Sequence, residues 1–191
     1  MKCLIIDKVY AGIAEELGKY KDIIDAAKNL KIIGVCSVGL NHIDMDYAKE
    51  KGIQIFNAPG LNANAVAELT ISKMLDISRG TMTANTDVKV KHEWDKYKFV
   101  GRELRGKTLG VMGFGRIGRR VGELGRAFGM TVVAYDPFLK AEDFEKEHAT
   151  GMSIDELLKA ADFVSIHVPL TPETKDLFNA KSIAEMKDDA V

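Results

Sequence analysis

The sequence predicts an α/β protein organised around parallel sheet, and three observations predict it. Strand-like and helix-like segments alternate from one end of the chain to the other. Two short apolar runs, Leu109 to Met112 and Thr131 to Tyr135, stand on either side of a helix-period segment. The first of these runs breaks into Gly113-x-Gly115-x-x-Gly118 where strand pattern gives way to helix pattern. With 46% hydrophobic and 29% charged residues the composition is that of an ordinary globular protein, and 191 residues allow one domain or two small ones.

Cys3–Ile6 reads as a strand, Ala11–Tyr20 as a helix continued by Asp22–Asn29, and Lys31–Ser37 as a buried strand. Asp44 can cap a short helix running to Lys51, with Gly52 ending it. Ile53–Phe56 is the next strand, and the punctuated stretch Asn57-Ala-Pro-Gly-Leu-Asn62 is a hinge candidate. A long helix over residues 65–79 presents Val66, Leu69, Met74 and Ile77 as a partial apolar face. Trp94 and Phe99 lie in a basic connecting region, where Trp94 is expected to be a packing anchor rather than a base-stacking surface.

Beyond the glycine motif, Ile117, Val121, Leu124 and Phe128 form one helical stripe, and Gly118, Gly122 and Gly125 a second. Glycine inside a helix costs about 1 kcal/mol against alanine, so the second stripe points to close approach by a neighbouring backbone or ligand. Gly129 stops this helix. Ser153-x-x-Glu156 is a capping box whose helix turns Leu157 and Leu158 inward. Asp162–His167 is a strand, and Thr171-Pro172 reads as an N-cap with proline at the first helical position.

Several function classes are disfavoured. A net charge of −1 argues against broad nucleic-acid or anionic-membrane binding, and Arg116, Arg119, Arg120 and Arg126 lie on one helix, where most are expected to belong to a solvated face. Cys3 and Cys36 show no C-x-x-C spacing, so neither a disulfide nor a metal site is expected. No apolar stretch reaches about 18 residues, and the N-terminus is too quickly charged for a signal peptide, so a cytoplasmic protein is expected. His42, His92 and His148 lie in loops or connecting segments without a paired acid.

The glycine motif carries the chemistry. In a Rossmann-type dinucleotide site the first glycine permits a tight turn, the second lets backbone approach a pyrophosphate, and the third lets helix and strand pack closely. The helix N-terminus supplies N–H groups and partial positive charge to the phosphates. Asp136 ends the next strand, 18 residues beyond Gly118, where a carboxylate can accept hydrogen bonds from ribose hydroxyls. The same carboxylate would repel a 2′-phosphate, so NAD is expected over NADP, with Lys140 the nearby cation.

Several blocks together resemble the D-isomer-specific 2-hydroxyacid dehydrogenase family, phosphoglycerate dehydrogenases in particular. They are Ile33-Gly-Val-Cys-Ser-Val-Gly-Leu-Asn-His-Ile-Asp44, Asn57 to Thr70 with its Val66-Ala-Glu68 core, and Leu104 to Gly118. Ala127-Phe-Gly-Met130, Tyr135-Asp-Pro137 and His167-Val-Pro-Leu-Thr-Pro-Glu-Thr174 complete the set. The resemblance implies a partial flavodoxin-like substrate-binding domain over residues 1–60. It implies the first half of an NAD-binding Rossmann domain over residues 61–191, entered through the helix 65–79. It places Gly113, Gly115, Gly118 and the amides of Arg116 and Ile117 over the pyrophosphate, and Tyr135 and Asp136 at the adenosine ribose. His167 becomes a structural histidine near the cofactor, and Val168 and Pro169 wall its pocket. The loop Val38-Gly39-Leu40 would offer amides to the carboxylate of a 2-hydroxy or 2-keto acid, which needs donors because a buried unpaired carboxylate is costly.

The resemblance also marks what is missing. The family's catalytic Arg, Glu and His would lie beyond Val191, so residues 1–191 are expected to contain no catalytic residue and no activity. Val35 and Val38 stand where phosphoglycerate dehydrogenases tend to carry Arg and Thr, which weakens phosphoglycerate as the substrate. An incomplete sheet with an uncovered apolar face favours a homodimer. A non-catalytic NAD-binding sensor or interaction module on the same fold is the competing reading.

Overall fold

The computed structural model describes residues 2–6, 21–35, 39–40 and 43–191, with the backbone alone described for 2–6 and for Asp22. The expected helix Ala11–Tyr20, Cys36, Val38 and His42 lie outside the described residues. The chain divides into two compact units, Met1–Asn62 and Ala63–Val191, each with its own core.

In the first unit β1 (Lys2–Ile6), β2 (Leu30–Val35) and β3 (Gln54–Asn57) form a parallel sheet in the order β1-β2-β3. Helix α1 (Lys21–Ala26) contributes Ile24, and α2 (Met45–Glu50) contributes Ala48, to a core with Leu30, Ile33, Val35 and Ile53. Asp44 caps α2 as expected, accepting from the Tyr47 N–H at 3.0 Å, and Gly52 follows the helix at φ +67°.

The second unit holds four parallel strands, β4 (Thr108–Met112), β5 (Thr131–Tyr135), β6 (Thr150–Gly151) and β7 (Phe163–Ile166), in the order β6-β5-β4-β7. Strand β4 is buried on both faces, as a central parallel strand must be. Leu109 and Val111 pack with Val121 of α5 (Arg116–Ala127) and with Ala67, Ile71 and Met74 of α3 (Ala63–Arg79). Met112 faces the other way, onto Leu157, Leu158 and Ala161 at α7 (Ile154–Ala160), after α6 (Ala141–Lys146). Each fully buried aliphatic side chain of this kind contributes about 1.5–3 kcal/mol. Within the glycine stripe of α5 a neighbouring backbone crowds Gly118 alone, whereas Gly122 and Gly125 meet side chains. A Cβ at Gly125 would stand 2.6 Å from the end of the Leu109 side chain, so the helix packs closely over that leucine. The capping box Ser153–Glu156 is present, and Leu157 and Leu158 are buried.

Four expectations need correction. Helix α3 buries Ala67, Ile71, Met74 and Ser78, so of its expected face Met74 is buried whereas Leu69 and Ile77 are exposed. Trp94 is 80% exposed and anchors nothing among the described residues. It follows a short helix α4 (Thr81–Thr86) and a π-helical turn Asp87–Lys91, which is held instead by buried Asp87 pairing with Lys91 and Lys98. Phe128, last in the α5 stripe, is partly exposed beyond the helix end. Thr171-Pro172 opens a braced turn rather than a helix, and the following helix α8 (Ala180–Ala184) is capped by Asn179.

Strand β7 borders the sheet. Its Val164 N–H donates to the Val191 carbonyl at 2.7 Å, and Val191 N–H to the Asp162 carbonyl at 3.0 Å. Alongside runs an open groove of about 340 Å³, between Leu69 and Ile77 of α3 and Phe163 and Val164 of β7.

Candidate functional site

The sheet order reverses direction at β4, with β5 and β6 to one side and β7 to the other. Ligands of open parallel sheets bind at the carboxyl ends of strands at such a point. The loop leaving β4 there is tied to both neighbours: Gly113 N–H donates to the Tyr135 carbonyl at 2.7 Å, and His167 N–H to the Met112 carbonyl at 2.7 Å.

The three glycines serve three different ends. Gly113 sits at φ +89°, and a Cβ there would come within 2.8 Å of the His167–Val168 backbone. A Cβ on Gly118 would stand 2.1 Å from the Gly113 carbonyl oxygen, so this position closes the helix onto the turn. Gly115 is different, since a Cβ there would meet nothing within 4 Å. No packing within the protein requires glycine at that position, which leaves its backbone open to approach by a ligand. Gly115 is also the N-cap of α5 and makes no side-chain cap, which leaves the helix end to an anion.

Gly113 and Gly115 open onto a cavity of about 520 Å³. Tyr135 and Asp136 line it from the end of β5, and His167, Val168 and Pro169 from the end of β7. Both Asp136 carboxylate oxygens accept from backbone, Oδ2 from Phe114 N–H at 2.9 Å and Oδ1 from Phe138 N–H at 3.0 Å. The carboxylate is thereby aimed, and each oxygen keeps a lone pair for a ribose hydroxyl. The His167 Nε2 and Ser165 Oγ are 2.7 Å apart. Burial holds the imidazole below its ordinary value of 6.5, so the ring is neutral at pH 7. The open glycine, the uncapped helix end, the aimed carboxylate and the mostly apolar walls fit a dinucleotide.

A sequence model of the NAD-binding domain of the D-isomer specific 2-hydroxyacid dehydrogenases matches residues 71–191. The chain belongs to this family. It is 46% identical over 170 residues to a hydroxypyruvate reductase of Thermotoga maritima, covering 89% of this chain and 54% of that one. It is 44% identical over 172 residues to a D-3-phosphoglycerate dehydrogenase of Methanocaldococcus jannaschii, covering 90% and 33%. Among solved structures, a D-lactate dehydrogenase of Aquifex aeolicus complexed with NAD and lactic acid superposes with TM-score 0.73 at 38% identity, over 97% of this chain and 54% of that one. The chain therefore spans about half the length of the bacterial relatives and a third of the archaeal one. The α/β fold and the NAD-binding character expected from the glycine motif are those of the family.

Of the residues singled out from sequence, Gly113, Gly115, Tyr135, Asp136, His167, Val168 and Pro169 line this cavity. Arg116, Ile117 and Gly118 form the first turn of α5 next to it without lining it. Gly39 and Leu40 belong to the first unit, where Leu40 packs on that unit's core and its carbonyl accepts from Ile43 N–H at 2.9 Å. His92 and His148 take left-handed backbone at φ 57° and 50°, the first closing the π-helical segment and the second in a turn. Sequence reasoning missed Phe138, Thr171, Glu173, Thr174 and Leu177, all of which line the cavity. The 92% exposure of an aromatic two residues after Asp136 marks Phe138 in the structure. The Thr-Pro-Glu-Thr run carried a signal, which the helix-start reading misdirected.

Proposed function

We propose that this chain holds NAD for a D-2-hydroxyacid dehydrogenase that moves hydride between the cofactor and C2 of a small 2-hydroxy or 2-keto acid. The cavity at the sheet's reversal point carries the reading, because Gly115 leaves room there that nothing in the protein uses while Asp136 is aimed by two amides. NAD supplies the hydride acceptor. Gly113, Gly115, Gly118 and the Arg116 and Ile117 amides hold its pyrophosphate, Tyr135 and Asp136 its adenosine ribose, and His167, Val168 and Pro169 wall its pocket. Residues 61–191 form the cofactor domain, and residues 1–60 the substrate domain, with the loop Val38-Gly39-Leu40 donating amides to the substrate carboxylate.

The names of the two relatives described above support a substrate of the hydroxypyruvate or phosphoglycerate class, and a role in serine biosynthesis is part of this proposal. A cytoplasmic homodimer fits the absence of any described helix able to cross a membrane, the net charge of −1 and the groove along β7. Residues 1–191 alone do not turn over. The cavity offers a neutral His167 engaged by Ser165, and no Lys or Arg to polarise a keto group. Purified chain mixed with NADH and hydroxypyruvate should show no absorbance loss at the nicotinamide band, and steady oxidation would contradict this.

A further inference from the structure

A second acidic residue lines the cavity, and no Lys or Arg stands among its described lining residues. Asp136 lines it from β5 and Glu173 from the turn after β7. Lys140, the cation nearest in sequence to Asp136, is absent from the lining, and its backbone N–H donates to Asp143. We propose that Glu173 is a specificity determinant, turning 2′-phosphorylated dinucleotides away from this cavity in addition to Asp136. The inference rests on the reading of the cavity as an NAD site.

The turn presents Glu173 in a fixed place. Thr171 N–H donates to Thr174 Oγ1 at 2.8 Å, Lys175 N–H to the Thr171 carbonyl at 2.9 Å, and Thr174 Oγ1 to the Pro169 carbonyl. These bonds brace the Thr171–Thr174 run against Pro169, itself a wall of the cavity. The Thr171 hydroxyl and the backbone hold the Glu173 carboxyl below the ordinary carboxylate range, so it is charged at pH 7. NADP differs from NAD by one phosphate of charge near −2 on the adenosine ribose. A dianion brought into a cavity lined by Asp136 and Glu173, with no Lys or Arg in the described lining, is opposed by both charges. Asp136 also serves NAD by accepting from its ribose, whereas Glu173 weighs on the choice through its charge.

Equilibrium titration of residues 1–191 with NADH and NADPH, by calorimetry or fluorescence, tests this. Glu173→Gln should improve NADPH relative to NADH by about three- to tenfold. Between about 0.05 and 0.5 M salt that gain should shrink, because the removed interaction is charge repulsion. Glu173→Lys should move the ratio further in the same direction. In an Asp136→Ala background the Glu173→Gln gain should persist. If Glu173→Gln and Glu173→Lys both leave the NADPH to NADH ratio within twofold of the parent while NADH still binds, the inference is wrong and the cofactor reading stands. Failure of the parent chain to bind NADH overturns both.

Discussion

Gly115 and Gly118 look equivalent in the motif and differ in what they answer to. Gly118 answers to the protein, with the Gly113 carbonyl 2.1 Å from where its Cβ would be. Gly118→Ala should therefore destabilise the fold by about 1–3 kcal/mol, read as a lower urea midpoint. Gly115 answers to the ligand. Serine is a better N-cap than glycine, so Gly115→Ser should keep the midpoint while its hydroxyl takes the helix-end amides and fills the phosphate space. NADH affinity should then fall at least about tenfold. Equal stability losses in the two variants would contradict this division. His167 makes the site pH-sensitive. Its folded-state value lies below the unfolded one, so its contribution is present above about pH 6.5 and is lost as pH falls through the folded value. Urea midpoints should fall more steeply from pH 7.5 to 5.5 in the parent than in His167→Gln, and parallel curves would refute this. The glycines, Asp136 and the His167-Val-Pro169 wall were legible in the sequence because each occupies a fixed offset from a strand end. Phe138 and Glu173 were not, because an exposed aromatic and a surface acid have no pattern until the backbone brings them to one cavity.

Helix α3 shows where periodicity misleads. Its sequence periodicity marked Val66, Leu69, Met74 and Ile77 as a partial apolar face. The structure buries Met74 as expected, but with Ala67 and Ile71 rather than Leu69 and Ile77. Leu69 and Ile77, at 57% and 59% exposure, border the groove beside β7. That groove pairs exposed apolar surface with a strand edge, the combination that recruits another chain. Light scattering on the parent should give a mass above the monomer. The double variant Leu69→Ser and Ile77→Ser should shift it toward monomer with little loss of urea midpoint, since neither side chain is in the core. A monomeric parent would remove the groove as an association surface. The short elements were legible where a cap marked them, as at Asp44 and Ser153, and Thr171 was misread because a hydroxyl before proline braces a turn as readily as it starts a helix.

The whole molecule is two parallel α/β units, and the strand order β6-β5-β4-β7 is what turns a glycine motif into a site. Alternation of elements announced the parallel sheets, but strand order is a property of packing between distant segments and leaves no local mark. The reversal at β4 opens the cavity, the loop tied to Tyr135 and His167 shapes it, and Asp136 and the uncapped α5 define what it takes. Calorimetric titration of residues 1–191 with NADH tests that claim most directly. The geometry predicts saturable binding of one NADH per chain, weakened at least about tenfold by Gly115→Ser. Heat no greater than dilution for the folded parent chain, or binding that Gly115→Ser leaves unchanged, would contradict it.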